Sequence, residues 1–332
     1  MSQWSPNERM ARQHETKLSP DQVQSHEAVS AWTDFAGSAP RVVGIERLKE
    51  ENKTRAYRLD LERWRTRTVI AKWRACPENL ERLIFEEVLP SAGLPSLSIY
   101  GETTRGDDGA SWMFIEDAGP DSFVVAHAAD RVLAARWLAT LHAWHGLGGV
   151  ASRLPERSLR LYGVALRTSV DVIAQNLDRP WVTGSAREAL ARLIGLLERI
   201  DARWDRLQDL WANAPTVVVH GDFKAGNLRV RERAGTPELV VFDWEMAGTG
   251  APCVDLAGIP DVESYAAGVR FSWPSFTPTN ARTFARVGMV LRWLVTLKWV
   301  VSSLRQPWCH LPTFAAYEAS LAEAVRESEL LA

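Results

Sequence analysis

The spacing of apolar positions along this chain changes near residue 119. From residue 41 to 116 they come in strand-length runs at 41–48, 55–61, 66–73, 97–100 and 112–116, rich in Val, Ile, Leu and Trp. Such runs, bounded by polar breaks, predict β-strands. One helix is predicted among them, over 77–89. Beyond Gly119 the spacing lengthens to three and four, which predicts long helices near 127–145, 158–176, 184–211, 280–304 and 313–330. Ala118-Gly119-Pro120 interrupts the pattern and places a boundary at 117/118. Residues 1–18 are polar. Ser19-Pro20-Asp21 then has the residue order of a helix start: a capping hydroxyl, Pro at the first position and an acid in the first turn. Val23, Val29, Trp32 and Phe35 give that helix an apolar face ending near Gly37. The chain therefore reads as an α+β protein in three parts: an extension with a helix (1–38), a strand-rich part with one helix (39–117) and a mostly helical part (118–332).

Two further strand-length runs lie inside the helical part. They belong to V-V-V-H-G-D-F-K-A-G-N and L-V-V-F-D-W-E, and each delivers an acid at its exit, Asp222 and Asp243. Asn227 follows Asp222 by five residues. This is the equipment of Mg-dependent phosphoryl transfer: one carboxylate for the attacking hydroxyl, an Asn and a second Asp for the metal. Mg²⁺ takes oxygen ligands and keeps part of its water shell, so one amide oxygen and one carboxylate suffice from the protein. A rigid strand leading into an open turn fixes the base where a hydroxyl can reach it. Taken singly, His-Gly-Asp also suits a turn in which Asp222 caps nearby N–H groups, and Asp-Trp-Glu a solvated loop around a buried Trp. Their order and spacing together favour the phosphoryl-transfer reading.

H-G-D-F-K-A-G-N, F-D-W-E and the following D-L-A resemble the motifs of the aminoglycoside phosphotransferase and choline kinase superfamily, with weaker similarity over residues 40–305. The resemblance implies a protein-kinase-like two-lobed fold: a small N-terminal lobe with an antiparallel sheet and one helix, and a larger, mostly helical C-terminal lobe. It also implies ATP or GTP as donor, Mg²⁺ as cofactor and a small-molecule hydroxyl as acceptor. In it Asp222 is the catalytic base, and Asn227 and Asp243 hold the metal. His220 scaffolds the loop, Lys224 approaches the γ-phosphate, Asp255 braces the loop from below, and His142 packs behind it. Lys72, closing Thr68-Val-Ile-Ala-Lys, takes the α- and β-phosphates. Its ammonium is held by an acid of the next helix, Glu81 by the local pattern Glu-Arg-Leu-Ile-Phe, with Glu86 as the other option. Trp112-Met-Phe-Ile-Glu-Asp resembles the hinge strand, whose main-chain groups around Phe114 and Glu116 would meet the nucleobase. The phosphate-covering loop falls at 49–55. It lacks a glycine-rich run, so Asn52, Lys53 and Thr54 are left to offer N–H groups, a charge and a hydroxyl.

Charge and composition narrow the partners. The net charge is −2 over 332 residues, with no single-sign excess pointing to nucleic acid or a membrane surface. Cys76, Cys253 and Cys309 are widely spaced and show no pairing or metal pattern, as in a reducing compartment. The polar N-terminus has no apolar signal-peptide core. The most apolar stretch, 287–301, contains Arg292 and Lys298 and reads as a core helix, too short and too charged to span a membrane. A cytoplasmic protein is expected; nothing in the sequence sets its oligomeric state.

The acceptor stays open. From Asp121 onward, basic and acidic residues balance, so the acidic excess suited to a polycationic aminoglycoside is missing. Of the 15 Trp, Trp273, Trp293, Trp299 and Trp308 fall where the family binds its acceptor. They could cage a quaternary ammonium or simply pack a helical core. An amino alcohol, a sugar and a secondary-metabolite hydroxyl all remain. Two rival classes exist. A nucleotide-binding pseudokinase without turnover would have no need of Asp222, Asn227, Asp243 and Lys72 together. A metal-dependent phosphohydrolase would need several His near the motif, where only His220 stands.

Overall fold

The strand-length runs before residue 117 pair into one antiparallel sheet. The computed structural model of the chain describes residues 16–17, 20–37, 40–50, 54–62, 64, 66–75, 80–104, 110–258 and 261–330. Two compact units emerge: Met1–Ser122 with Arg229–Phe242, and Phe123–Leu228 with Asp243–Ala332. In the first unit, β1 (Thr16–Lys17), β2 (Val42–Glu50), β3 (Thr54–Leu61), β4 (Thr68–Arg74), β5 (Ile99–Thr104) and β6 (Ser111–Glu116) take the order β1-β2-β3-β4-β6-β5. Alternation along β4 sends Val69 and Ala71 into an apolar core and puts Lys72 and Arg74 on the opposite face.

The helix expected after Ser19 is two helices, α1 (Pro20–Ser25) and α2 (Glu27–Ala36). Ser19 itself lies outside the described residues. His26 between them is extended (φ −75°, ψ 138°), and its Nδ1 accepts the N–H of Ala28 at 3.2 Å, so an imidazole caps α2. Ala28, Ala31 and Trp32 of α2 enter the core of the sheet. Trp32 meets Phe114 edge-on at 5.1 Å and donates its Nε1–H to the Pro40 carbonyl at 3.1 Å. The helical part of the expected extension is thus built into this unit.

The helix after β4, α3, begins as Leu80–Leu83, widens into a π-helical turn at Ile84–Val88 and closes as Leu89–Ser91. Residues 77–79 of the expected helix lie outside the described ones.

The second unit is helical around a small sheet. Its helices are α4 (Ala128–His142), α5 (Leu147–Val150), α6 (Leu159–Asn176), α7 (Gly184–Asp201) and α8 (Trp204–Ala212), followed later by α9 (Val262–Val269), α10 (Pro278–Val300) and α11 (Pro312–Ser328). The single helix expected over 184–211 breaks because Arg203 leaves helical backbone (φ −117°, ψ 22°). α9 escapes pattern reading through its length of eight residues; Asp261 caps it by accepting the Ser264 N–H at 2.8 Å.

α10 and the 3-10 turn Val301–Arg305 make a stretch long and apolar enough to cross a membrane, contrary to the expectation of too short a segment. Ala281, Phe284, Val287, Gly288, Leu291 and Leu294 nonetheless recur at helical spacing as buried positions, and α6, α9 and α11 pack on it.

Between α8 and α9 run β7 (Val217–Val219), β8 (Leu228–Arg233), β9 (Thr236–Val241) and β10 (Gly248–Gly250). β8 and β9 form a hairpin around Ala234 and Gly235, both at positive φ. β10 pairs antiparallel with β7, Gly248 opposite Val219.

Trp32 joins α2, the sheet and the 40s loop in one contact set. Trp32→Ala is expected to destabilise the protein by about 3–5 kcal/mol, read from urea unfolding followed by circular dichroism. A loss below about 1 kcal/mol would show that α2 does not belong to the cooperative core.

Candidate active site

The register of β7 and β10 decides the local geometry around His220-Gly221-Asp222. Because Gly248 lies opposite Val219, the preceding turn brings Met246 against Gly221. A Cβ on Gly221 would stand 2.1 Å from the Met246 carbonyl oxygen, and the residue holds φ +80°; only glycine meets both conditions. The chain turns at Gly221 and presents Asp222 at the surface of its unit.

Three side chains converge there. Lys224 Nζ lies 2.5 Å from Asp222 Oδ2. The Asn227 amide donates to the Asp222 carbonyl at 3.0 Å and to Oδ2 at 3.2 Å. His220 Nδ1 accepts the N–H of Asp222 at 3.2 Å, a bond made by a neutral ring nitrogen. The His220 ring is fully buried against Trp244, centroids 4.5 Å apart, and Trp137 packs on both Trp244 and Phe223. His220 is thus packed inside the turn and bonded to its backbone.

Asp255 holds this turn from beneath. It is fully buried and accepts the N–H groups of His220 (2.7 Å) and Gly221 (2.9 Å). Burial, and after it the charge of Asp255, keeps the Tyr265 phenol protonated far above its usual range. The Tyr265 hydroxyl lies 2.8 Å from His142 Nδ1, and His142 Nε2 lies 3.4 Å from Asp255 Oδ2; a carboxylate only accepts, so Nε2–H is the donor to Asp255. Gly288 lets α10 approach this region: a Cβ there would sit 1.9 Å from the Cys253 carbonyl oxygen, two residues before Asp255.

Asp243 heads the turn between β9 and β10. It has left-handed backbone, φ 67° and ψ 59°, an uncommon conformation that Asp tolerates better than most residues. The next ring, Trp244, is the one that packs on His220.

In the first unit, Lys72 Nζ pairs with Glu81 Oε1 at 3.0 Å, both buried. Glu86 is exposed and pairs with Arg82 instead, so of the two options the lysine takes Glu81. Thr54 is buried at the start of β3, opposite Arg74. Asn52 and Lys53 lie outside the described residues.

Phe114 differs from its expected place. β6 is an inner strand, Phe114 pairs with Ala71 of β4 and Gly101 of β5, and its ring is in the core. Its main chain belongs to the sheet, and free main-chain groups can begin only beyond the strand end. The side chain of Glu116 is committed too, accepting from Arg231 Nη1 at 2.7 Å and from the Ser98 N–H at 3.0 Å. Asp117, next along, binds Arg58 at 2.6 Å.

The model of the APH phosphotransferase enzyme family matches residues 44–271, well over half the chain. The chain belongs to this family. No curated protein matches it significantly in sequence. Solved structures share its kinase-like fold at low identity. A spectinomycin phosphotransferase, APH(9)-Ia, in complex with ADP and spectinomycin is 12% identical with a TM-score of 0.57, covering 94% of this chain and 98% of that one. APH(4)-Ia in a ternary complex with ADP and hygromycin B is 15% identical, TM-score 0.55, with 91% and 99% covered. An ethanolamine kinase from Plasmodium vivax is 12% identical, TM-score 0.53, with 84% and 82% covered.

For this family member, sequence reasoning missed Arg74 and Glu102. Arg74 lies two residues after Lys72 on the same face and reaches Glu81 Oε2 at 3.6 Å and Glu102 Oε1 at 3.3 Å. Continuing the alternation of Thr68, Ile70 and Lys72 by one step points to it. The four tryptophans proposed for the acceptor region do not assemble: Trp273 contacts Phe276, Trp293 contacts Tyr317, and Trp299 and Trp308 are 65% and 78% exposed. Among the described residues no two of them are in ring contact.

Asp255→Ala would strand two N–H donors, that of buried His220 and that of half-buried Gly221. A loss on the order of 3 kcal/mol is expected, since each unmet donor costs about 1–3, together with a fall in activity. Chemical denaturation and turnover measure the two; unchanged stability would remove Asp255 as the brace of the loop.

Proposed function

We propose that this protein transfers the γ-phosphate of ATP or GTP to a hydroxyl group of a small molecule, with Mg²⁺ as cofactor. The observation that carries the reading is the convergence of Asp222, Asn227 and Lys224 on a turn whose backbone is locked by a buried carboxylate. Family membership supports the reaction class.

In this reading Asp222 orients the acceptor hydroxyl and takes its proton. Phosphoryl transfer through a loose transition state asks more for alignment than for a strong base, and a carboxylate held on a rigid turn suits that demand. Lys224, already in contact with Asp222, offers positive charge to the oxygens of the transferred group. Lys72 grips the α- and β-phosphates, and Glu81 holds its ammonium in place. The nucleobase would meet main-chain groups after Glu116.

Asn227 and Asp243 fit a hard divalent cation. Both offer oxygen, the NH₂ of Asn227 is occupied by Asp222 so that its amide oxygen is the donor left for a metal, and the strained backbone of Asp243 is the kind found at ligand positions. Bound there, Mg²⁺ supplies charge neutralisation to the phosphates. Two protein ligands suffice because phosphates and water complete the shell. Among the described residues no group of three or more His, Cys, Asp or Glu stands ready to hold a metal.

Release of ADP or GDP over pooled aminoglycosides, choline-like amines, amino sugars and macrolides tests the proposal. Asp222→Asn is expected to lower kcat by about 10²–10⁴-fold, the range for a lost general base, with nucleotide affinity nearly intact. Wild-type rates in this variant would refute the base assignment. Asp243→Ala is expected to abolish Mg-dependent nucleotide binding, measured by titration calorimetry with and without Mg²⁺; retained Mg dependence would remove Asp243 from the metal site.

A further inference from the structure

Glu81 serves two cations. Its Oε1 meets Lys72 Nζ at 3.0 Å and its Oε2 meets Arg74 Nη1 at 3.6 Å. The side chains of Lys72, Arg74 and Glu81 are 7%, 7% and 2% exposed, so these charges act on one another with little screening. A guanidinium cannot escape such a place by losing its proton. Its charge must be met by a carboxylate, and Glu81 is one of two within reach among the described residues.

The other is Glu102 on β5. Its Oε1 takes Arg74 Nη2 at 3.3 Å, and the same oxygen accepts the hydroxyl of Ser111 at 2.8 Å. Arg82 reaches Oε2 at 3.5 Å. Ser111 opens β6 and is directly opposite both Arg74 and Thr104 in the sheet register. The sheet itself therefore holds Glu102 against the guanidinium. With Arg74 occupied on that side, Glu81 remains closer to Lys72 than to Arg74.

We propose that Glu102 is a positioning residue for Lys72: by drawing the charge of Arg74 to β5, it leaves Glu81 to the ammonium and so tunes nucleotide affinity. Removing the charge of Glu102 makes Arg74 compete for Glu81, and the pair on Lys72 loosens. Removing Arg74 as well ends the competition. The second change should therefore repair the first, which a loss of packing could not do. This inference rests on the reading of Lys72 as the phosphate-binding lysine.

The test compares Glu102→Gln, the double variant Arg74→Met with Glu102→Gln, and Lys72→Ala, with Mg-ATP affinity measured by titration calorimetry and thermal unfolding alongside. Glu102→Gln is expected to weaken nucleotide binding roughly tenfold, within the span of couplings between neighbouring charges. The double variant should recover to within about threefold of wild type, even if its melting temperature stays lowered. Should Glu102→Gln fail to fold, Ser111→Ala replaces it: it loosens Glu102 without removing a charge, should weaken binding in the same direction by a smaller factor, and should be repaired by Arg74→Met.

Unchanged affinity in the folded single variants, or no recovery in the double, overturns the inference. If Lys72→Ala itself binds Mg-ATP like wild type, the reading of Lys72 falls and takes the inference with it. If Lys72→Ala binds weakly while Glu102→Gln binds normally, only the inference falls.

Discussion

Two backbone N–H groups at the exit of β7 have one acceptor, the carboxylate of Asp255, and the candidate site depends on that bond pair. His220 and Gly221 point their amides inward because the chain reverses at φ +80°, a turn open only to glycine this close to the Met246 carbonyl. Left unmet, the buried His220 donor would cost about 1–3 kcal/mol, and the half-buried Gly221 donor would add to it. Asp255 meets them and is itself steadied by His142, whose other ring nitrogen is held by the Tyr265 hydroxyl. The turn that carries Asp222 is therefore held by the helical interior, while Asp222, Lys224 and Asn227 remain at its rim. Rigid support beneath and polar groups above is what a positioned carboxylate requires.

The first unit solves a different problem. Taking charges out of water costs several kcal/mol per ion, and a buried ion pair seldom repays this as stability. Lys72, Arg74 and Glu81 are nevertheless placed together between β4 and α3. Glu81 orients the Lys72 ammonium in a site that solvent screens little. The apolar face of the same strand, Val69 and Ala71, packs on Trp32, Phe114 and their neighbours, so one strand anchors the core on one side and the charges on the other. The π-helical turn at Ile84–Val88 lies a few residues beyond Glu81, a helix irregularity of a kind common near functional positions.

Much of this was legible in the chain. The change of period near residue 119 separates a strand-rich part from a helical one, and the antiparallel sheet and the long helices lie where the spacing puts them. Glu81 could be chosen over Glu86 from its local pattern, and its burial beside Lys72 agrees. Other features were hidden for identifiable reasons. α9 is too short to show a period. Arg203 breaks a helical stretch whose residues all tolerate helix. Phe114 belongs to an inner strand, and strand order is a property of pairing between distant segments. Its main chain is consumed by β4 and β5, which no reading of residues 112–116 could reveal.

The sequence by itself determined which residues are the candidates for chemistry, because motif spacing and strand-end placement are local: Asp222 five residues before Asn227, Asp243 at the end of the next apolar run, Lys72 closing its strand. Tertiary structure alone decided how those residues are held. Asp255 reaches His220 and Gly221 across 34–35 residues, Tyr265 reaches His142 across 123, and Glu102 reaches Arg74 across 28. Such contacts depend on sheet register and helix packing, which arise from burying the whole apolar surface at once and leave no local trace in the chain.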